Sequence, residues 1–249
     1  VHFPADTQPF DIGYKALAVN LSDLAAMGAE PAWYTCALTL PALNEDWVRN
    51  FVLGMNAIAQ PFKVQLVGGD LTRGKLSITI QVQGFVPPEL ALTRGGAKVG
   101  DEIYVSGKLG AAGYALKHWH TKEGKAYEAY LTRPYPRVKL GLALRGRATS
   151  AIDLSDGLIG DLQHILEASA VGAEIYVEKL PIFANKAEAY ELALTAGDDY
   201  QLCFTVPAGK TLELIDITPI GKITADQALK IYRVDGKAYQ LKTAAYQHF

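Results

Sequence analysis

The stretch AIDLSDGL, residues 151–158, combines the end of an apolar strand, two carboxylates and the start of a helix. Residues 151–154 predict a buried strand, and the apolar spacing of residues 158–170 predicts the following helix. Asp153 and Ser155 point one way along the strand, and Asp156 opens the helix. An acid in an apolar strand rarely stays ionised without a partner. The stretch therefore predicts a site for phosphate and metal at a helix N-terminus, with simple helix capping by Ser155 or Asp156 as the alternative.

Three further aspartate motifs lie far from this stretch: NLSD at 20–23, GGD at 68–70 and GDD at 197–199. Asn20 and Asp23 share one face of a predicted helix, although a capping or helix-bending role is an open alternative. The paired glycines permit close approach of a phosphate, or simply a tight turn. Converging carboxylates are costly unless a cation neutralises them, and Mg²⁺ binds a few carboxylates together with phosphates. The four motifs predict a Mg²⁺-dependent enzyme acting on phosphates.

Composition favours an ordinary globular enzyme. The 249 residues are 49% hydrophobic and 20% charged, enough for one large or two medium domains. A formal net charge of -2 gives no basic surface for nucleic acid or an anionic membrane. No apolar run reaches the roughly 18 residues that span a bilayer. Cys36 and Cys203 lie in apolar runs, which predicts buried, reduced thiols in a cytoplasmic protein.

Helix and strand signals alternate along the chain, and Pro87-Pro88 divides them. We predict an α+β fold of two α/β-type domains, residues 1–90 and 91–249. Helices are expected over 12–27, 44–60, 111–120, 138–144, 158–170 and 188–195. Strands are expected over 33–40, 63–67, 76–86, 102–105, 151–154, 174–177, 200–206, 220–224 and 229–234. The alternation in 76–86 places Ile78, Ile80 and Val82 on one apolar face, which a lone small sheet would leave exposed. A C₂ homodimer joining two N-terminal sheets is therefore expected.

Weaker candidates lie outside the aspartate motifs. The loop SGKLG, residues 106–110, resembles a phosphate cradle but is more often structural. Arg94 lies in a loop from which a guanidinium can clamp a phosphate. Tyr246 lies near the C-terminus, where it either stacks on a flat cationic ring or pins the tail to the domain.

Taken together, the motifs resemble the thiamine-monophosphate kinase family of the aminoimidazole-ribonucleotide-synthetase-like superfamily. The residues that carry the resemblance are 1–3, 15–29, 68–74, 91–94, 151–158 and 246–249. The resemblance implies phosphorylation of thiamine monophosphate by ATP, with several Mg²⁺ ions. It also implies a homodimer whose N-terminal sheets form a β-barrel, and a C-terminal mixed-sheet domain with flanking helices.

The same resemblance assigns roles to individual residues. Metal binding and catalysis fall to Asp23, Asp70, Asp153 and Asp156. Contacts with ATP fall to Gly69, Asp70, Arg94 and Ser155, and contacts with thiamine monophosphate fall to His2, Asp198 and Tyr246.

The chain departs from the family pattern at several points. Leu71 stands where Thr is common, and Asp198 where Glu is common. A family segment carrying further acids is expected before Val1. The stretches at 183–188 and 207–217 are shorter than the pattern. Two alternatives stay open: another ATP-using synthetase of the superfamily, and a non-catalytic nucleotide-binding dimerisation module.

Overall fold

The computed structural model describes residues 2–210 and 212–241, so Tyr246 lies outside the described residues. The helices are α1 (Pro9–Ala26), α2 (Glu45–Phe62), α3 (Ala111–Lys117), α4 (Lys122–Lys125), α5 (Glu128–Thr132), α6 (Val138–Leu144), α7 (Leu158–Ser169) and α8 (Ala189–Thr195). The strands are β1 (Glu30–Leu40), β2 (Gln65–Arg73), β3 (Ser77–Phe85), β4 (Glu102–Ser106), β5 (Ser150–Asp153), β6 (Gly172–Tyr176), β7 (Leu202–Val206), β8 (Ile217–Thr224) and β9 (Leu229–Tyr232).

The N-terminal part is a three-stranded mixed sheet against which α1 and α2 pack. Its order is β2-β1-β3, with β1 parallel to β2 and antiparallel to β3. Helix α2 begins where the sequence predicts, because Oδ1 of Asn44 accepts a hydrogen bond from the Trp47 N–H at 3.0 Å. The apolar stripe of α2 and the predicted apolar face of β3, with Ile78 and Ile80, pack into one core.

Helices α1 and α2 touch backbone to backbone at glycine positions. A Cβ placed on Gly54 of α2 would lie 1.8 Å from the carbonyl oxygen of Phe10. A Cβ on Gly13 of α1 would lie 2.0 Å from the carbonyl oxygen of Phe51. Because any side chain at these points would collide with main-chain atoms, the two glycines fix the spacing of the helices.

The C-terminal part is a six-stranded mixed sheet with flanking helices, as predicted. Its order is β5-β7-β4-β8-β6-β9, and the pairs are antiparallel except for the parallel pair β6–β9. Helix α7 packs Leu158, Leu162 and Ile165 on this sheet in the largest core cluster. Because β5 is an edge strand, the turn that follows Asp153 emerges at the side of the domain.

Helix α1 also packs on the C-terminal part of the chain. A Cβ on Gly141 of α6 would lie 2.0 Å from the carbonyl oxygen of Ala25 in α1. Just after α1, the Met27 carbonyl accepts a hydrogen bond from the Leu92 N–H at 3.0 Å. Helix α1 therefore contacts both the N-terminal and the C-terminal part of the chain, and these contacts fix the position of its residue Asp23.

The structure corrects the prediction for the Gly-Gly-Asp segment. The expected buried strand over 63–67, ending at the glycines, is instead β2, which runs through them to Arg73 and is exposed along its whole length. Leu66 and Val67 suggested burial, yet they are 49% and 59% exposed. Strand β2 is an edge strand that pairs only with β1, and the core between the sheet and helices α1 and α2 is formed by residues of β1 and β3 rather than of β2. Within one chain this sheet is open, so the predicted dimeric barrel is not confirmed.

Two further observations concern the cysteines and the membrane. Cys36 and Cys203 are buried free thiols, as the sequence predicts. Burial raises the pKa of both thiols and leaves them protonated near neutral pH.

Within residues 2–210 and 212–241, no helix has both the length and the apolar character needed to cross a bilayer.

We predict that Gly54→Ala destabilises the protein although alanine is the better helix former. The added methyl group must push α2 away from the Phe10 carbonyl, an overpacking cost of roughly 1–3 kcal/mol. The measurement is the free energy of unfolding in urea. Asn56→Ala, at an exposed position on the same helix, is the control and should change stability little. Equal stability of Gly54→Ala and wild type would contradict the close helix contact.

Candidate active site

Most of the predicted site residues meet at one cavity of about 670 Å³ between the two parts of the chain. Helix α1 supplies Asp23 and Val19, and the turn between β5 and α7 supplies Asp153, Ser155 and Asp156. The residues preceding β7, Thr195 to Asp198 and Tyr200, also line the cavity, and so does His2. Three of the four aspartate motifs, far apart in sequence, therefore converge as the chain folds.

Two carboxylates of this cavity, those of Asp23 and Asp153, resist ionisation. Partial burial and repulsion by Asp153 raise the pKa of Asp23 to about 6, against a smaller opposing effect of Arg94. Burial raises the pKa of Asp153 as well, and the Ser22 hydroxyl and Arg94 partly offset that rise. Asp153 also feels the negative charge of Asp156. Such mutual repulsion is the electrostatic signature of a site that accepts cations.

The turn after β5 is held by hydrogen bonds from its backbone to Gln201 and to Asp161 of α7. Its Leu154 N–H donates to the Gln201 carbonyl at 2.8 Å. The Asp156 N–H donates to Oδ2 of Asp161, a carboxylate in the first turn of α7, at 3.0 Å. Helix α7 begins after Gly157 without a side-chain cap, so capping by Ser155 or Asp156 does not explain these residues.

Asp161 is a residue that sequence reasoning missed. It is only 2% exposed, and burial and the charges of Asp156 and Asp153 raise its pKa to about 7, while the backbone N–H groups of Ser155 and Asp156 act in the opposite direction. Its carboxylate organises the turn without lining the cavity. The available signal was an acid on the otherwise apolar face of the 158–170 helix.

The Gly-Asp-Asp loop is joined to the same turn. The Asp198 N–H donates to the Ser155 carbonyl at 2.9 Å, and the Tyr200 N–H donates to the Leu154 carbonyl at 2.8 Å. Asp199 points the other way: Oδ2 accepts the Gly110 N–H at 2.7 Å, and burial raises the pKa of Asp199 to about 7. Within this motif, Asp198 faces the cavity and Asp199 fastens the loop.

Three predicted residues do not line this cavity. Asp70 is exposed on β2, where Oδ1 accepts the N–H of Leu71 at 2.9 Å. A Cβ on Gly69 would lie 2.0 Å from the Cys36 carbonyl oxygen. The pairing of β2 with β1 is therefore sufficient to explain why this position is a glycine. Arg94 is exposed, but its charge lowers the pKa of Asp23 and of Asp153.

The loop over residues 106–110 is structural. The Gly107 N–H donates to the Asp216 carbonyl at 2.9 Å, and the Leu109 N–H donates to the Pro181 carbonyl at 2.9 Å. The Gly110 N–H is taken by Asp199. Because protein acceptors occupy these amides, they are not available to cradle a phosphate.

A second cavity of about 630 Å³ adjoins the first. It lies between α1, β3 and the N-terminal segment, and it shares His2, Val19 and Tyr200 with the acidic cavity. Its walls are largely apolar, with Phe3, Ile12, Leu76, Ile78 and Ile80 among them. The two cavities together offer an acidic end and an apolar end.

The donors in the acidic cavity fit Mg²⁺. Within residues 2–210 and 212–241, no three His, Cys, Asp or Glu side chains are grouped closely enough to hold one ion by themselves. Mg²⁺ does not need such a cage, because it binds through one or two carboxylates and completes its shell with water and substrate phosphates. The hard oxygens of Asp23, Asp153 and Asp156 around one cavity are of this kind.

Comparison with known proteins places the chain. Residues 1–86 match the family model of the AIR synthase related protein N-terminal domain, and residues 98–234 match that of the C-terminal domain. A thiamine-monophosphate kinase of Escherichia coli K12 is 46% identical, with an alignment that covers 100% of this chain and 83% of that protein.

Solved structures agree with these matches. The thiamine-monophosphate kinase of Stenotrophomonas maltophilia K279a has a TM-score of 0.89 at 44% identity, over 96% of this chain and 83% of that one. A structure described as AaThiL complexed with AMPPCP and TMP has a TM-score of 0.90 at 31% identity. The alignment covers 100% of this chain and 84% of that one.

The two domain matches and the fold define a protein of the AIR synthase related class. At 46% identity over its whole length, the chain belongs to the thiamine-monophosphate kinase family within that class. The resemblance that the aspartate motifs indicated is thereby confirmed, and the chain is an enzyme of the phosphotransferase type.

The raised pKa of Asp23 predicts a pH-dependent effect of Asp23→Asn on stability. In the ligand-free wild type, the favourable contribution of protonated Asp23 is complete below its unfolded pKa and is lost as pH rises through about 6. Asparagine cannot ionise, so the variant should melt near the wild-type temperature below the unfolded pKa of 3.8, increasingly above it as pH rises through about 6, and most clearly above it at neutral pH. Differential scanning calorimetry across this range measures the difference. Asp46→Asn, with a side chain 88% exposed, should show no such trend; a parallel trend in both variants would refute the assignment.

Proposed function

We propose that this chain phosphorylates thiamine monophosphate with ATP by direct in-line transfer. An oxygen of the acceptor phosphate attacks the γ-phosphorus of ATP, the bond from that phosphorus to the β–γ bridging oxygen breaks, and thiamine diphosphate and ADP form. The acceptor is already anionic at pH 7, so the step needs no strong general base. Catalysis then consists of positioning and of charge neutralisation.

The observation that carries the proposal is the acidic cavity beside the apolar one. Asp23 from α1 and Asp153 and Asp156 from the turn after β5 surround a space that opens toward apolar walls. Two anionic substrates could not enter a carboxylate-lined cavity without divalent cations. The AaThiL structure, described as a complex with AMPPCP and TMP, shows a relative of the same fold with both kinds of ligand.

We assign several Mg²⁺ ions to Asp23, Asp70, Asp153 and Asp156. Bound there, the ions would neutralise the charge that accumulates on the transferring phosphoryl group. The chain itself contributes the alignment of these oxygens: Asp161 holds the turn that carries Asp156, and the packing of α1 fixes Asp23. Asp70 joins this set only by the family resemblance, because it lies on β2 away from the cavity lining.

The remaining assignments divide the site between the two substrates. Gly69, Asp70, Arg94 and Ser155 are proposed to contact ATP. His2 and Asp198, which line the cavity near its junction with the apolar one, are proposed to contact thiamine monophosphate. Tyr246 is proposed to stack on the flat cationic ring of thiamine monophosphate.

The decisive assay uses the full-length protein with ATP, Mg²⁺ and thiamine monophosphate, and detects thiamine diphosphate and ADP. Another ATP-using synthetase of the superfamily would form ADP only with a different acceptor. A non-catalytic module would bind nucleotide without forming either product.

Asp153→Asn and Asp156→Asn should each reduce turnover roughly 100-fold or more, because each removes metal-binding charge from the transition state. The melting temperature without ligand should stay constant or rise, since carboxylate repulsion is relieved. Steady-state kinetics and calorimetry on the same preparations test both expectations. Asp46→Asn is the control. Wild-type turnover in both cavity variants would rule out the metal assignment.

We also propose a C₂ homodimer formed by the N-terminal sheets. Strand β2 is an exposed edge carrying Leu66, Val67 and Leu71, each about half or more exposed. Such an edge invites pairing with a second copy.

Light scattering should show twice the chain mass at micromolar concentration. Val67→Asp should shift the protein toward monomer, because it places a charge at the proposed contact. Ile215→Asp is the control, since Ile215 is 93% exposed and lies just before β8 of the C-terminal sheet. A fully active monomer at micromolar concentration would contradict the dimer.

A further inference from the structure

Lys15 is a buried cation that joins the two parts of the site. It lies in α1 with a side chain only 7% exposed, and it lines the apolar cavity. Its Nζ donates a hydrogen bond to the His2 carbonyl at 3.1 Å and lies 2.8 Å from Oδ1 of Asp198. One ammonium group therefore holds the N-terminal segment and the loop before β7, which carry the two residues assigned to the acceptor substrate.

The contacts made with Asp198 fix the rotation of its carboxylate. Lys15 and the Tyr200 hydroxyl, which donates at 3.2 Å, both reach the same oxygen, Oδ1. Asp198 lines the acidic cavity, and its side chain is 28% exposed. Within the part of the chain that the structure describes, these two contacts leave the second oxygen, Oδ2, to accept a hydrogen bond from a ligand in the cavity.

The backbone around Asp198 needs this support. Asp198 and Tyr200 have φ angles of 69° and 47°, in the left-handed region that non-glycine residues rarely adopt. Such conformations persist where surrounding contacts over-determine them, and they cluster at ligand-binding sites. Lys15, the Ser155 carbonyl and the Leu154 carbonyl provide those contacts here.

Electrostatics distinguishes Asp198 from Asp23 and Asp153. Asp23 and Asp153 repel one another across the cavity, whereas Asp198 has an ammonium group at hydrogen-bond distance. A buried lysine is itself costly without a counter-charge, so the two groups compensate each other. The charge of the Asp198 carboxylate is therefore compensated by a residue of the chain itself.

We propose that Lys15 is a positioning residue for the acceptor substrate. It holds the Asp198 carboxylate so that Oδ2 accepts a hydrogen bond from the organic part of the acceptor, while Asp23, Asp153 and Asp156 remain for metal and phosphate. The proposal rests on the proposed function, and it deepens that function by naming the group that separates the organic end of the site from the metal end.

A double-mutant cycle on the full-length protein tests this proposal. Lys15→Met, Asp198→Asn and the double variant are compared by the KM for thiamine monophosphate and the KM for ATP at saturating Mg²⁺. Lys15→Met should raise the KM for thiamine monophosphate at least about tenfold, the effect of losing a hydrogen bond to a charged group. The KM for ATP should change less than about twofold, and the double variant should be no worse than the poorer single variant.

Tyr200→Phe provides a second measurement that does not depend on removing a buried charge. It deletes the other contact with Oδ1 and leaves Lys15 in place. The KM for thiamine monophosphate should rise several-fold with the KM for ATP unchanged. Lys222→Met is the matched control: Lys222 pairs with Glu174 at 3.4 Å on the C-terminal sheet, so neither constant should move.

Three results would overturn the proposal. The first is a lower melting temperature for Lys15→Met with both KM values unchanged, which would make Lys15 a structural pin. The second is an equal rise in both KM values, and the third is additive losses in the double variant. If the wild type itself forms no thiamine diphosphate, the proposed function fails and the inference falls with it; wild-type turnover with unchanged variants defeats the inference alone.

Discussion

The site depends on the close packing of helix α1 against two other helices, α2 of the N-terminal part and α6 of the C-terminal part. Helix α1 meets α2 backbone to backbone at Gly54, and it meets α6 in the same way at Gly141. These contacts leave no side chain to repack, so the helix cannot slide or rotate without breaking a main-chain contact on one side. Asp23, at the end of the helix nearer to α6, is therefore fixed opposite Asp153 of the other part of the chain.

This fixed geometry makes repulsion between the carboxylates unavoidable. In a flexible site the acids would move apart into water, but here burial and proximity raise the pKa of Asp23 and of Asp153. The strain is tolerated because hydrogen bonds hold the segments around it, with Asp161 accepting the Asp156 N–H and Asp199 accepting the Gly110 N–H. The hydrogen bonds of Asp161 and Asp199 thus stabilise the segments beneath the cavity, while Asp23 and Asp153 line the cavity itself, where ligands would bind.

Local patterns in the sequence were sufficient for much of the fold. The Asn44 cap, the apolar stripe of α2 and the alternation of β3 are encoded within a few residues, and the structure has all three elements close to their predicted positions. The exposure of β2 was not predictable in this way. Leu66 and Val67 have the composition of a buried strand, and only their place at the sheet edge leaves them exposed. The short helices α4 and α5 also escaped prediction, because two single turns carry no period.

The candidate site shows the same limit at the level of single residues. Asp198 and Asp199 are neighbours of identical type, so no periodicity or composition separates them. The left-handed backbone at Asp198 turns its side chain toward Lys15 and the cavity, whereas the partly buried Asp199 accepts a hydrogen bond from the Gly110 N–H. Likewise, Lys15 looks like any polar residue of an amphipathic helix until the fold brings Asp198 to it from the other domain. Which carboxylate is structural and which faces a ligand is decided by tertiary contacts, and for such residues the sequence alone supplies candidates without roles.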